Sequence, residues 1–365
     1  MDIAEILREV VAIDASDLHL SVGVPPTVRI DGHLQGLDYP VLTPGEAREL
    51  VYSILTQDQR QKLETEWEVD FSYSLYGQAR FRVNAYFQRG TLGAAFRLVP
   101  VRIRSIEELG LPKILHSMAQ KPRGFVLVTG PTGSGKSTSL AAIIDEINET
   151  RSEHIVTIED PIEFLHQHKK CVVNQREVGS DTKGFGPALR SALRQDPDII
   201  LVGELRDLET IQIALTAAET GHLVFATLHT QDCPQTIDRM IDVFPPHQQE
   251  QIRVQIAATL EGIVTQQLLP CVGGKGRVAA CEVLVPTPAV RNLIREGKTY
   301  QLYTVMQTSA QHGMQTMNAS LADLLRCGKI TRDLALRRSS TPDDLERLLL
   351  RGDGGVISFP LTRSQ

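Results

Sequence analysis

The chain has 365 residues, of which 42% are hydrophobic and 22% charged, with a formal net charge of −6. This is the composition of a globular protein with room for two domains. The acidic balance argues against bulk attraction to nucleic acid or anionic lipid, and no apolar stretch approaches the length that spans a bilayer. The amino terminus carries acids where a signal peptide needs bases. We therefore expect a cytoplasmic protein with no nucleic-acid partner and no membrane insertion.

The first hundred residues predict a small α+β domain. Helices are expected at residues 3–12 and 46–56, and alternating strands at Thr27–Ile30, before the Asp31-Gly32 turn signal, and at 79–83. Residues 1–98 are assigned to this domain. Pro- and Gly-containing residues 99–113 then indicate a linker.

A phosphate-binding loop follows the linker. Residues 130–138 come between a predicted apolar strand and an amphipathic helix, so the loop lies at a helix N-terminus, where anions are stabilised. The glycines let backbone N–H groups face the phosphates, the Lys136 ammonium reaches the β and γ phosphates, and the Ser137 hydroxyl is the expected Mg²⁺ ligand. The expected ATP-binding residues are Gly130, Pro131, Thr132, Gly133, Ser134, Gly135, Lys136, Ser137 and Thr138.

Strands and helices alternate from residue 114 to 285. Apolar strands are predicted at 125–129, 155–158, 199–202 and 223–227, which indicates a parallel sheet with helices on its faces. Ligands of such sheets bind at the carboxyl ends of the strands. Residues 286–338 read as helical, and residues 339–365 as a flexible tail.

Carboxylates follow two of these strands. Glu159, Asp160 and Glu163 come after the second one, where acids can orient an attacking water or hold the water shell of a metal, although such a cluster also suits solvated turns or a helix cap. Glu204 closes the apolar run that begins at Pro197, a Walker B pattern that brings a carboxylate to Mg²⁺.

Histidines and arginines complete the candidate residues. His229 follows the fourth strand and suits a sensor of the γ-phosphate, whereas His222 precedes that strand and is assigned either to nucleotide binding or to a subunit contact. Arg80, Arg82 and Arg97 lie on first-domain strands. A guanidinium can meet charge on the transferred phosphate, often from a neighbouring subunit, but these arginines also suit a solvated strand face.

Four sequence blocks together resemble the secretion ATPase superfamily, and within it the ATPases of type IV pilus retraction. They are the phosphate loop, the acidic box at 158–163, the Walker B segment ending at 203–207 and the histidine box at 221–229. The resemblance extends from Ser16 to about Ile330. The chain also lacks the paired Cys-x-x-Cys motifs that are typical of extension motors and type II secretion ATPases.

The resemblance implies a RecA-like P-loop core, a PAS-like first domain and a helical C-terminal region, assembled as a homohexamer. It implies that Glu163 activates water, that Glu204 belongs to the magnesium site, and that first-domain arginines complete a neighbouring pocket. The implied function is ATP-driven pilus retraction, or twitching motility, at the inner-membrane platform of the pilus, with other pilus ATPases as further partners. A nucleotide-gated adaptor with little turnover and, less favoured, a DNA-translocating relative are the alternatives.

Overall fold

The computed structural model describes residues 1–30, 32–75, 78–100, 102–274 and 276–351. These residues divide into two compact units. The first comprises residues 1–102, 161–165 and 177–183, and the second comprises 103–160, 166–176 and residues from 184 onward.

The first unit is a sheet with helices packed on it. Its helices are α1 (Ile3–Ala12), α2 (Pro44–Ser53) and α3 (Gln57–Glu66), and its strands are β1 (Asp17–Leu20), β2 (Thr27–Ile30), β3 (His33–Gly36), β4 (Glu68–Leu75), β5 (Ala79–Gln88) and β6 (Thr91–Val99). The six strands lie in the order β3-β2-β1-β6-β5-β4, and neighbouring strands run antiparallel.

Helix α1 and strand β2 have the predicted bounds, because each follows a clear pattern. The side chain of Asp2 accepts a hydrogen bond from the N–H of Ala4 and caps α1, whose apolar residues recur at helical spacing and are buried. The helix expected at 46–56 is α2, which begins at Pro44 and ends at Ser53. Thr56, the last residue of the expected range, instead forms the capping box of the next helix, α3.

The second unit is built on a seven-stranded sheet. Its strands are β7 (Gly124–Thr129), β8 (His154–Glu159), β9 (Val172–Glu177), β10 (Ile199–Val202), β11 (Leu223–Leu228), β12 (Leu260–Pro270) and β13 (Arg277–Leu284), in the order β13-β12-β7-β11-β10-β8-β9. The neighbours from β12 to β8 are parallel, and β13 adds an antiparallel edge. The strands predicted at the four apolar runs are all present, and they are buried on both faces, as a sheet covered by helices requires.

Helices accompany this sheet and follow it. They are α4 (Ile114–Ala119), α5 (Lys136–Thr150), α6 (Phe185–Ala192), α7 (Leu208–Glu219), α8 (Cys233–Asp242), α9 (Pro246–Thr259), α10 (Pro288–Arg295), α11 (Leu302–Thr308), α12 (Met317–Arg326), α13 (Arg332–Arg338) and α14 (Pro342–Arg351), with short 3-10 turns at Thr299–Gln301 and Ala310–His312. Within the described ranges, none of the helices is long and apolar enough to cross a membrane.

A flexible tail was expected at residues 339–365, but the described part of this segment, up to residue 351, contains a helix. Residues 342–351 form helix α14, and Leu345 is fully buried in a cluster with residues of α12 and α13. The Asn318 amide also donates hydrogen bonds to the carbonyl and the hydroxyl of Thr341. The apolar residues of the segment recur at helical spacing and so provide a face that packs. Residues 352–365 lie outside the described residues.

Candidate nucleotide-binding and hydrolysis site

The predicted phosphate loop connects β7 to α5, so its backbone N–H groups and the N-terminus of α5 surround one position. Gly130, Gly133 and Gly135 have φ angles of 136°, 77° and 89°, values that L residues with side chains rarely adopt. Lys136 is 9% exposed, and its ammonium donates hydrogen bonds to the carbonyl oxygens of Gly130 (2.9 Å) and Pro131 (3.2 Å). The positive charge therefore lies within the loop, where phosphate oxygens can replace these carbonyls.

Gln266, which was not among the residues predicted from the sequence, supports the phosphate loop through a hydrogen bond. Gln266, on β12, is 1% exposed, and its side-chain N–H donates to the carbonyl of Ser134 at 2.8 Å. A Cβ atom on Gly130 would lie 2.3 Å from the Gln266 carbonyl oxygen, so loop and strand are in direct backbone contact. A glutamine shortly after the apolar residues Ile263 and Val264 of β12 was the available signal, because buried polar groups need partners.

The carboxyl edge of the sheet carries a line of ion pairs. Arg206 contacts Asp160 (Nη1 to Oδ2, 3.2 Å) and Glu204 (Nε to Oε2, 2.8 Å), and the other oxygen of Glu204 lies 3.3 Å from Nε2 of His229. Glu159 lies at the end of β8 and accepts hydrogen bonds from Thr157 and Gln175. The structure thus brings Asp160, Glu204 and His229 together at the predicted edge.

The donor set at this edge fits a small hard cation. Mg²⁺ prefers oxygen ligands and keeps several waters, so the Ser137 hydroxyl, in the first turn of α5, and the half-buried Glu204 carboxylate are suitable groups. Ser134, next to the loop glycines, has a buried hydroxyl that finds no hydrogen-bond partner among the described residues. In the described part of the chain, no group of three or more His, Cys, Asp or Glu side chains is arranged to hold a metal ion.

His222 does not lie at this edge. It precedes β11 and donates its N–H to Ala217, while its carbonyl accepts from the N–H of Gly124, at the start of β7. With about 3.3 Å of rise per residue, the length of β11 separates it from the phosphate loop by about 17 Å. Because β11 runs parallel to β7 and toward the loop edge, His222 lies at the opposite end of β11 from the phosphate loop of its own chain. Its assignment to nucleotide binding stays a prediction that the geometry of one chain does not support.

The remaining candidates belong to the first unit. Arg82 is the cross-strand partner of Arg97, which in turn is the partner of Asp17, and the Arg97 side chain forms an ion pair with Asp17 at 2.9 Å. Arg80 and Arg82 alternate with buried residues on β5 and share one face, as the strand pattern predicts. Arg80 forms an ion pair with Glu177 at 3.2 Å, and its assignment to nucleotide binding stays a prediction. Glu163, in the 161–165 segment, is exposed.

A phosphate-binding loop between a parallel strand and a helix defines the P-loop class of nucleotide-binding proteins, and comparison with known proteins identifies the family. Residues 2–332 match the family described as type II/IV secretion system protein, and the chain belongs to that family. The type IV pilus retraction ATPase PilT of Pseudomonas aeruginosa is 52% identical over 344 residues, which cover 94% of this chain and 100% of that protein.

Two further relatives bear on function. The type IV pilus ATPase PilU of Pseudomonas aeruginosa is 42% identical over 352 residues, 96% of this chain and 92% of PilU. A crystal structure of the pilus retraction motor PilT with bound ADP matches with a TM-score of 0.87 and 52% identity, and covers 95% of this chain and 99% of that one. The predicted P-loop ATPase fold and the resemblance to retraction ATPases are thereby confirmed.

Proposed function

We propose that this protein is a mechanical ATPase that drives type IV pilus retraction as a homohexamer. The observation that carries the proposal is the concentration of the phosphate loop, Glu204 and His229 at one edge of the parallel sheet. The likeness to PilT over nearly the whole chain supports the assignment to retraction. The proposed location is the cytoplasm, at the inner face of the plasma membrane, where the partners are the pilus platform and other pilus ATPases.

Each residue has a separate task in the proposed reaction. The Lys136 ammonium exchanges the Gly130 and Pro131 carbonyls for phosphate oxygens, and the N-terminus of α5 stabilises their charge. Glu163 orients the attacking water and accepts its proton, which leaves inorganic phosphate and ADP as products. His229 contacts Glu204, so it is placed to report whether that carboxylate is engaged.

A magnesium ion and arginines of an adjacent subunit complete the proposed site. Ser137 and Glu204 would hold Mg²⁺, partly through water, and the ion would neutralise charge on the phosphates. Arg82 on β5 and Arg97 on β6 are cross-strand partners on one face of the sheet. We assign them to the pocket of an adjacent subunit, where an arginine stabilises charge on the transferred phosphoryl group. Thr132, Gly133 and Thr138 contribute backbone or hydroxyl donors to the phosphates.

Hydrolysis by purified hexamer tests the role of Glu163. We expect wild-type protein to hydrolyse ATP, and Glu163→Gln, which keeps the shape but removes the base, to reduce kcat by 10²-fold or more while nucleotide affinity is retained. Glu68→Gln, a change at an exposed carboxylate of β4, is the matched control. Full hydrolysis by Glu163→Gln would refute the assignment of the water-activating carboxylate.

A nucleotide-gated adaptor is the second candidate, favoured by the likeness to PilU across 96% of the chain. Such a protein would bind nucleotide at the same loop and turn over slowly by itself. The steady-state rate separates the two: a motor is expected to reach the ordinary enzymatic range of about 1 s⁻¹ or more. A rate orders of magnitude lower, with normal ADP affinity, would favour the adaptor.

A further inference from the structure

A buried carboxylate outside the phosphate-binding edge has no role in the hydrolysis proposed above. Glu177, the last residue of β9, is 3% exposed and belongs to the first unit. Its Oε1 accepts hydrogen bonds from the hydroxyls of Ser72 and Ser180, and its Oε2 accepts from the N–H of Ile162 at 3.0 Å and pairs with Arg80 at 3.2 Å. Such complete pairing is what an ionised carboxylate needs when it is removed from water.

The ionisation of Glu177 agrees with these contacts. Burial opposes the charged form, but the bonds from Ser72 and Ile162 and the charge of Arg80 outweigh it and hold the pKa of the Glu177 carboxyl below its usual value. Glu177 is therefore a charged acceptor at neutral pH, and hydrogen bonds to a charged acceptor are stronger than those between neutral groups.

One of its donors is the residue directly before Glu163. Ile162 is 2% exposed, and residues 161–165 form neither helix nor strand, so no regular backbone ladder holds them. The N–H of Ile162 is held by Glu177, and the N–H of Leu165 donates to the carbonyl of Pro100. The backbone that carries the exposed Glu163 side chain is thus held by contacts within the first unit.

Arg80 takes part in the same cluster. Its side chain is 17% exposed, its Nη2 pairs with Glu177, and its Nη1 donates to Ser74 across the β4–β5 pair. Removing one member of a buried ion pair leaves the other uncompensated, so the two side chains are energetically coupled.

We propose that Glu177 is a positioning residue for Glu163, and that Arg80 acts on hydrolysis through Glu177 rather than by contact with nucleotide. The inference rests on the proposed role of Glu163. Loss of the Ile162 contact frees the 161–165 backbone and misplaces the water-orienting carboxylate, while the phosphate loop is untouched. A shift of about 1 Å in such a group costs up to about 10²-fold in rate.

A double-mutant cycle tests this in the full chain. Glu177→Gln, Arg80→Met and the double variant are assayed for kcat, for ADP affinity and for hydrogen exchange of the Ile162 amide, with Glu68→Gln as control. We expect each single variant to lower kcat by about 10- to 100-fold, ADP affinity to stay within about twofold, and Ile162 to exchange faster. The double variant should be no slower than the slower single one.

The outcomes are distinct. If Glu163→Gln is inactive but Glu177→Gln keeps an unchanged kcat, the inference is overturned. It is also overturned if the losses of kcat in the two single variants are additive and Arg80→Met binds ADP more weakly, because Arg80 would then contact the nucleotide. If Glu163→Gln remains active, the proposed function fails instead, and Ile162 exchange alone then decides whether Glu177 holds this segment. Ser72→Ala removes only one donor and serves if Glu177→Gln folds poorly; it should give a smaller loss of kcat with the same unchanged ADP affinity.

Discussion

Replacement of Gln266 by Met should weaken nucleotide binding without unfolding the protein. The Gln266 side chain holds the Ser134 carbonyl toward β12. Since a trans peptide points its C=O and N–H in opposite directions, this bond directs the N–H of Gly135 to the other side of the loop, where the phosphates bind. Methionine has nearly the same length and volume but no donor.

The magnitude follows from the groups that change partners. Loss of one neutral hydrogen bond costs about 1 kcal/mol, and a buried carbonyl left without a donor costs about 1–3 kcal/mol until its peptide rotates. Rotation relieves that cost but turns the Gly135 N–H away, so we expect ADP affinity to fall roughly 5- to 30-fold. The Oε1 atom of Gln266 is itself buried and has no hydrogen-bond partner within the described ranges, so its removal offsets part of the lost stability. The melting temperature should therefore change by only a few degrees.

Calorimetric titration with ADP measures the effect, and thermal melting measures the stability. Gln267→Met is the matched control, because Gln267 is the next residue of β12, points to the opposite face and is partly exposed. If the Gln266→Met variant binds ADP within twofold of wild type, or if Gln267→Met is equally impaired, the support of the loop by Gln266 is refuted.

Three further predictions concern other parts of the chain. Gly130→Ala should abolish ADP binding in a titration, since the added Cβ atom would lie 2.3 Å from the Gln266 carbonyl oxygen. A Cβ atom at Gly133 would meet no described atom within 4 Å, so Gly133→Ala should add only the strain of its left-handed backbone, about 1–2 kcal/mol. Leu345→Ala should destabilise the C-terminal helices by about 2–5 kcal/mol in denaturant titration and speed amide exchange in α14; exchange equal to that of wild type would contradict the packing. Burial lowers the pKa of His166 to about 4, so as pH falls the unfolded chain binds a proton at this histidine before the folded chain does. Up to about 3 kcal/mol of stability that is present above pH 6.5 should therefore be lost as pH falls toward 4. A His166→Gln variant with the same pH dependence as wild type would exclude that group as the cause.

Local patterns predicted the elements that position the phosphate loop. The strands of the second unit are apolar runs that must be buried on both faces, and the loop glycines need φ angles that the structure shows. Contacts between distant residues had no such pattern. Gln266 lies 132 positions from Ser134, and Glu177 lies 105 from Ser72.

Two features of the structure could not be derived from the sequence patterns, for the same reason. His222 and His229 occur in one sequence block, but a strand separates them, so they lie at opposite edges of the sheet. Helix α14 was missed because its polar surroundings concealed an apolar face, which becomes stabilising only when α12 and α13 provide a partner. In both cases the decisive information is three-dimensional.

Pilus retraction in cells tests the central claim most directly, namely that hydrolysis at the phosphate loop performs the mechanical work. The native host lacking this protein is complemented with wild type or with Lys136→Ala, which removes the ammonium from the loop. The account predicts that wild type restores retraction and that Lys136→Ala, at equal expression and assembly, behaves like the deletion. Normal retraction with Lys136→Ala would contradict it and identify the protein as a scaffold for another motor.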